Sequence, residues 1–220
     1  MLQRVLIICP DVGLDVQEEI INAASGFAPK ILAGTVTRQR ALEEIASGQY
    51  DIVHFITHGK EHVLQVTDGI IEEDMLEHAV CTANNVKVLF LNTCRSAHTA
   101  TSVYNNTNVA FSIGWPGNVE NRVALTWARL FFEALRMAPD DIKRAVRTAN
   151  EAVVKSYHIN PDQLPLALNG RTRHLVEENE RLRQELACRG MMRIPIWMIA
   201  VNLSLDALLL TALLVLALMN

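Results

Sequence analysis

The sequence predicts an α/β fold, a mostly parallel sheet with helices on both faces, and two observations carry that prediction. Short β-rich apolar runs recur along the first 114 residues, each closed by a polar or glycine-containing break, and such runs read as buried strands. The intervals between them hold helix-like patterns, and strands alternating with helices build a parallel sheet covered on two sides.

The elements follow in order. Residues 4–9 (RVLIIC) make a first strand, turned by Pro10-Asp11-Val12-Gly13, and a helix is expected from about Asp15 to Ser25. Residues 30–36 (KILAGTV) make a second strand. Thr37 then caps a helix with Ala41, Leu42, Ile45 and Ala46 on one face. The third strand, DIVHFIT, ends at His58-Gly59. A hairpin around Val63–Val66 and Asp68-Gly69 leads to a helix near Glu72–Val80. The fourth strand, beginning VKVLFL at Val86, ends at Cys94, and Val109–Gly114 is a fifth, closed by Trp115-Pro116-Gly117. Helices are expected over Glu120–Arg136 and Asp140–Tyr157, the second opening with acids that suit its dipole. The α/β domain therefore spans residues 1–160, and Pro161 to Gly170 reads as a loop.

Composition narrows the function. A formal net charge of −4 supplies no basic stripe to meet phosphates, so nucleic acid is not expected as a partner. The cysteines Cys9, Cys81, Cys94 and Cys188 are far apart and form no CxxC pair, which argues against a zinc site built from them. Cys9 and Cys81 sit in apolar surroundings and read as small buried hydrophobes. The start of the chain lacks the layout of a signal peptide, so a free thiol is expected to sit in a reducing cytoplasm.

The two central strands carry the chemistry. If they are parallel neighbours, their carboxyl ends lie side by side where open α/β sheets place their ligands. An imidazole, His58, and a thiol, Cys94, would then meet at one crevice. A thiol attacks a carbonyl as thiolate, and an adjacent histidine either takes its proton or sits beside it as imidazolium. Gly59 lets the backbone turn away from the His58 ring, and its N–H, with the amide of Cys94, suits a developing oxyanion. A lone cysteine or histidine at a strand end is more often structural, so the argument rests on the pair. His54, inside its strand, reads as a packed core histidine. His62 and His98 fall in a loop and at a helix start, with no partner assigned. Arg95 suits either thiolate stabilisation or a salt bridge.

The segments DIVHFITHG and VLFLNTCRSA resemble the two catalytic blocks of caspase-like peptidases, the clan of caspases, metacaspases and separases, and most closely those of the CHAT family. The likeness continues through VLQVTDGIIEEDML, VAFSIGWPGNVENRVALTWARLFFEAL and AVRTANEAV, covering about residues 1–157. It implies a caspase-like cysteine endopeptidase acting on protein substrates, with His58 as general base, Cys94 as nucleophile, and no metal or organic cofactor. In caspase-like folds the crevice beside the first strand's carboxyl end contributes to the pocket for the residue before the cut. Asp11 stands there, and a carboxylate shielded from water would favour a basic side chain. The alternative is that Asp11 caps the following helix or fixes the turn. Asp68 is a weaker pocket candidate and reads as a turn residue. Many relatives are fused to repeat or sensor domains. This chain shows none, so its trigger is expected to be a separate sensor or regulator protein, or assembly at a membrane, in signalling or bacterial defence.

Two further segments follow the domain. Residues 161–190 form a linker and a charged helix in which Leu175, Asn179, Leu182 and Leu186 keep heptad spacing, the pattern of a short coiled coil and of a homo-oligomer. Residues 191–220 hold an almost wholly apolar run, Ile194 to Met219, long enough to cross a hydrocarbon core of ~30 Å as a transmembrane helix. Arg189 and Arg193 flank its amino side, which places the catalytic domain in the cytoplasm of a single-pass membrane protein. Asn202 and Asp206 interrupt the run, as an acid tolerated by protonation or by water near one interface, as an oligomer contact or pore-lining position, or as a break between two shorter segments. Two alternatives stand beside the peptidase reading. One is a catalytically silent caspase-like scaffold; the other is a membrane-disrupting effector acting through this anchor. A Rossmann-type nucleotide site is disfavoured, since CPDVG after the first strand is not GxGxxG.

Overall fold

The computed structural model describes residues 4–13 and 26–169. In chain order it forms β1 (Arg4–Pro10), β2 (Ala28–Gly34), α1 (Arg38–Ala46) and β3 (Ile52–Ile56). Three short strands follow, β4 (Gly59–Lys60), β5 (Val63–Val66) and β6 (Gly69–Glu72), then α2 (Glu73–Ala83). The chain continues through β7 (Val88–Asn92), α3 (Ala97–Asn106), β8 (Phe111–Gly114), α4 (Asn121–Met137) and α5 (Ile142–Tyr157). A 3-10 turn, Pro161–Gln163, leads to β9 (Leu166–Asn169).

Six strands make one sheet in the order β2-β1-β3-β7-β8-β9. The pairs from β2 through β8 are parallel, and β9 closes one edge antiparallel to β8. Strand alternation sorts the side chains to two faces. Leu6, Ile8, Val53, Phe55, Leu89 and Leu91 meet the buried residues of α1, α2 and α3. Their alternates Val5, Ile7, Ile52, Val88 and Phe90 meet α4 and α5. The expected helices on both faces are present.

The second face is aromatic. Trp127 stacks on Phe131 with centroids 5.3 Å apart, and Phe90 tilts against Trp127 at 5.2 Å. Trp127 Nε1 donates to Asn150 Oδ1 at 2.7 Å, tying α4 to α5. His54 is fully buried edge-on to Phe90 (4.4 Å) and Phe132 (5.3 Å), the packed core histidine its position implies.

Several elements differ from expectation. β2 begins two residues early because it is an edge strand, where Pro29 can sit without breaking a ladder. Residues 161–170 are not simply a loop, because β9 pairs Leu166–Asn169 with Gly114–Phe111 and buries Leu168. Four residues are too few to show period-two alternation. α3 is a helix the strand-and-helix pattern does not place; its polar Ala97–Asn106 sequence hides the face carrying Ala100, Val103 and Tyr104. No acid lies in the first turn of α5; instead Asp141 is its N-cap and accepts from Arg144 N at 2.9 Å. Thr37 caps α1 as expected, accepting from Arg40 N at 3.2 Å. Cys9 is buried, but Cys81 is exposed on α2.

The helix expected at Asp15–Ser25, the heptad helix and the apolar run from Ile194 to Met219 lie outside the described residues. Among the described residues, no helix is long and apolar enough to cross a membrane.

Candidate active site

β3 and β7 are parallel neighbours in register, with Ile56 level with Asn92. His58 and Cys94 each lie two residues beyond that pair, so both leave the sheet at the same level of its carboxyl edge. Gly59 lies tight against the Thr93–Cys94 segment. A Cβ on Gly59 would stand 2.0 Å from Thr93 Oγ1 and 2.8 Å from the carbonyl oxygen of Cys94, distances no side chain tolerates. Glycine is required at this position by proximity to the Cys94 loop, a different reason from the sharp turn anticipated in the sequence.

The loop after β7 is held by hydrogen bonds on every side. Ser96 Oγ donates toward Leu91 O (2.9 Å) and Thr93 O (2.8 Å), and accepts from Trp115 N (3.0 Å). Arg95 takes a left-handed conformation, φ 53°, and its N–H donates to Gly117 O at 2.9 Å. Positive φ at a non-glycine residue directly after the nucleophile candidate makes a sharp strand-to-helix turn that lifts Cys94 out of the ladder. Beneath it, Trp115 Nε1 donates to Asn92 Oδ1 at 2.7 Å. Gly114 lies against the same turn, where a Cβ would meet Ser96 O at 2.7 Å. Cys94 is half-buried, and its Sγ lies 3.5 Å from Val119 N and 3.8 Å from Val119 O.

His58 is exposed and enters a hairpin. Gln65 N donates to His58 O at 2.9 Å, and Thr57 Oγ1 donates to Gln65 O at 2.7 Å. In the antiparallel ladder of β4 and β5, Gly59 sits opposite Leu64, between the hydrogen-bonded positions, so its N–H faces away from β5. A groove of about 590 Å³ opens on this side, lined by His58, Gly59, Lys60, Val63, Gln65 and Ile70. A cavity of about 180 Å³ lies beyond Val119, between Trp115, Glu120, Arg122 and Tyr157.

Asp11 leaves β1 beside β3 and, three residues past the Ile8–Phe55 pair, stands level with His58. It is exposed, not buried, and its N–H donates to Gly34 O at 2.8 Å. Asp68 Oδ1 accepts from Arg38 N at 2.7 Å, which joins the β5–β6 turn to the start of α1 and gives it the turn role.

Sequence reasoning left His62 and His98 without partners, and the structure joins both to Glu73. His62 Nδ1 and His98 Nδ1 lie 3.3 Å and 3.1 Å from Glu73 Oε2. Burial pushes the Glu73 carboxyl up, but hydrogen bonds from Ser102, His98 and His62 outweigh it and hold the group below its ordinary range. The spacing offers a signal in hindsight: each histidine lies four residues after a member of the candidate pair.

No protein-family model matches the chain, and no curated protein matches it. Among solved structures, it is similar to a secreted C11 cysteine protease from Bacteroides thetaiotaomicron, determined in complex with an irreversible peptide inhibitor. The identity is 12% and the TM-score 0.50, over 76% of this chain and 66% of that one, just under two thirds of its length. The likeness shows the fold, a caspase-like α/β architecture.

Proposed function

We propose that the chain is a cysteine endopeptidase in which Cys94 attacks the scissile carbonyl and His58 acts as general base. The observation that carries this reading is the close approach of Gly59 to the Thr93 side chain and the Cys94 carbonyl, which joins the two loops at the sheet edge. The likeness of fold to a C11 cysteine protease supports the same class.

In this mechanism His58 takes the Cys94 proton as sulfur bonds to the carbonyl carbon. The resulting oxyanion accepts from the Gly59 and Cys94 amides, donors that need no reorganisation once held on a fixed backbone. Collapse breaks the C–N bond, and the imidazolium returns its proton to the leaving amine. Water, deprotonated by His58, then hydrolyses the thioester and frees Cys94. No metal or organic cofactor enters any step. Asp11 is the specificity residue in this reading, favouring a basic side chain before the cut. Its exposure makes that preference modest until substrate covers it.

The finer assignment is to the CHAT family, as a membrane-anchored signalling or defence effector. The His-Gly and Cys blocks support the family, and the apolar run from Ile194 to Met219, with Arg189 and Arg193 before it, supports anchoring with the domain in the cytoplasm. Heptad spacing from Leu175 to Leu186 supports self-association, and a separate regulator protein is the expected trigger. The test is to express wild type and Cys94→Ala in cells and map new peptide ends across the proteome. New ends that vanish with Cys94→Ala establish proteolysis. Ends that persist in the variant, or none in wild type under any inducing condition, overturn it.

A further inference from the structure

We propose that His62, Glu73 and His98 form a binding site for a divalent transition-metal ion of the zinc class, one that clasps the loop after His58 to the loop after Cys94. Among the described residues this is the one group of three His, Cys, Asp or Glu side chains whose ligand atoms all lie within 4.8 Å of one another. Three separate elements supply it: His62 from the β4–β5 turn, Glu73 from the first residue of α2, and His98 from the second residue of α3.

The distances suit the chemistry. With metal–ligand bonds of about 2.0–2.1 Å, the edge of a zinc tetrahedron measures ~3.3 Å. The two Nδ1–Oε2 separations, 3.3 and 3.1 Å, already have that length. Two imidazoles with one carboxylate are a donor set that zinc, cobalt and nickel accept, whereas calcium and magnesium favour all-oxygen sites. Three protein ligands leave a fourth position for water.

The two rings also converge on one acceptor. The rings of His62 and His98 lie with centroids 3.9 Å apart and share a single carboxylate oxygen. A single dication on the shared oxygen satisfies both ring nitrogens at once. The side chains of His62 and His98 are 53% and 58% exposed, so an ion can reach the site without unfolding, while Glu73 at 20% is held in place from beneath. His62 takes φ 68° in the turn, and its ring lies against that of His98 on α3.

The clasp's two histidines each lie four residues after a member of the candidate dyad. The existence of the clasp does not depend on the dyad being active, and the experiment separates the two. Purified full-length protein carrying Cys94→Ala is titrated with Co²⁺ alone, and binding is followed by the visible absorption of four-coordinate Co²⁺ and by thermal unfolding. The expected result is one ion per chain, displaced by Zn²⁺, with a raised unfolding temperature. Replacing either imidazole, His62→Ala or His98→Ala, is expected to weaken binding by at least ~10-fold and abolish the thermal shift. Both residues are largely exposed, so neither variant empties the core; Glu73→Gln, which keeps the size of the side chain, repeats the test from the third ligand. Absence of stoichiometric binding, or binding that survives all three substitutions, overturns the proposal. Binding in wild type that disappears with Cys94→Ala alone does so as well, since the ion then belongs to the thiol.

Discussion

The loop after β7 and the loop after β3 leave the sheet at the same level, yet they are held in opposite ways. Cys94 sits in a four-residue turn pinned by Ser96, Arg95 and Val119 to the 115–119 segment and half-shielded from water. His58 is exposed and opens a separate three-stranded sheet, β4-β5-β6, whose contact with the Cys94 loop passes through Gly59. The candidate nucleophile is thus fixed by hydrogen bonds to its neighbouring segments. The candidate base stands at the start of a hairpin whose Leu64, Val66 and Ile71 are buried in the core. The asymmetry sets a half-shielded candidate nucleophile beside a solvent-facing candidate base.

The comparison breaks most completely if either member of the pair is removed. Cys94→Ala is expected to lower peptide cleavage by at least ~10⁴-fold, and His58→Ala by about 10²- to 10⁴-fold, read as kcat/KM on a peptide drawn from mapped cleavage sites. Gly59→Ala comes next. Its methyl cannot fit against Thr93 and Cys94, so the base is displaced, and a misplacement near 1 Å costs about 10²-fold in kcat. Adding Thr93→Ala removes the 2.0 Å clash but leaves the Cys94 carbonyl at 2.8 Å, so rescue should be partial.

Ser96→Ala probes the pinned side. The buried hydroxyl serves Leu91 O, Thr93 O and Trp115 N, and its loss should cost about 1–3 kcal/mol in chemical denaturation and lower kcat. The smallest effect belongs to Asp11→Asn. For an exposed carboxylate an ion pair contributes about 0.2–1 kcal/mol, so preference for a basic residue before the cut should fall only a few-fold. A larger drop would show that bound substrate buries Asp11.

The central sheet was legible because its strands are long apolar runs with clear breaks, and the candidate pair because both reactive residues end such runs. Parallel pairing of β3 with β7 then follows from topology, and the register supplies the rest. What escaped the sequence was short, polar or remote. β9 is four residues at a sheet edge, and α3 carries its buried residues among threonines, histidine and asparagines. Ser96 and Gly114 matter through backbone contacts that no periodicity encodes. Glu73 reads as an ordinary first-turn acid until the fold brings His62 and His98, 11 and 25 residues away, to its carboxylate. Cys81 was misread because apolar neighbours in sequence do not share one face of α2.

The most direct test of a working pair uses the other thiols as internal controls. Full-length wild type and His58→Ala are treated with a peptide-based irreversible electrophile, and the modified cysteines are identified by mass spectrometry over time. The account predicts rapid labelling of half-buried Cys94 ahead of the exposed Cys81, and labelling of Cys94 at least ~10²-fold slower in His58→Ala with Cys81 unchanged. Labelling that follows exposure, with Cys81 first and no difference between the two proteins at Cys94, would contradict it.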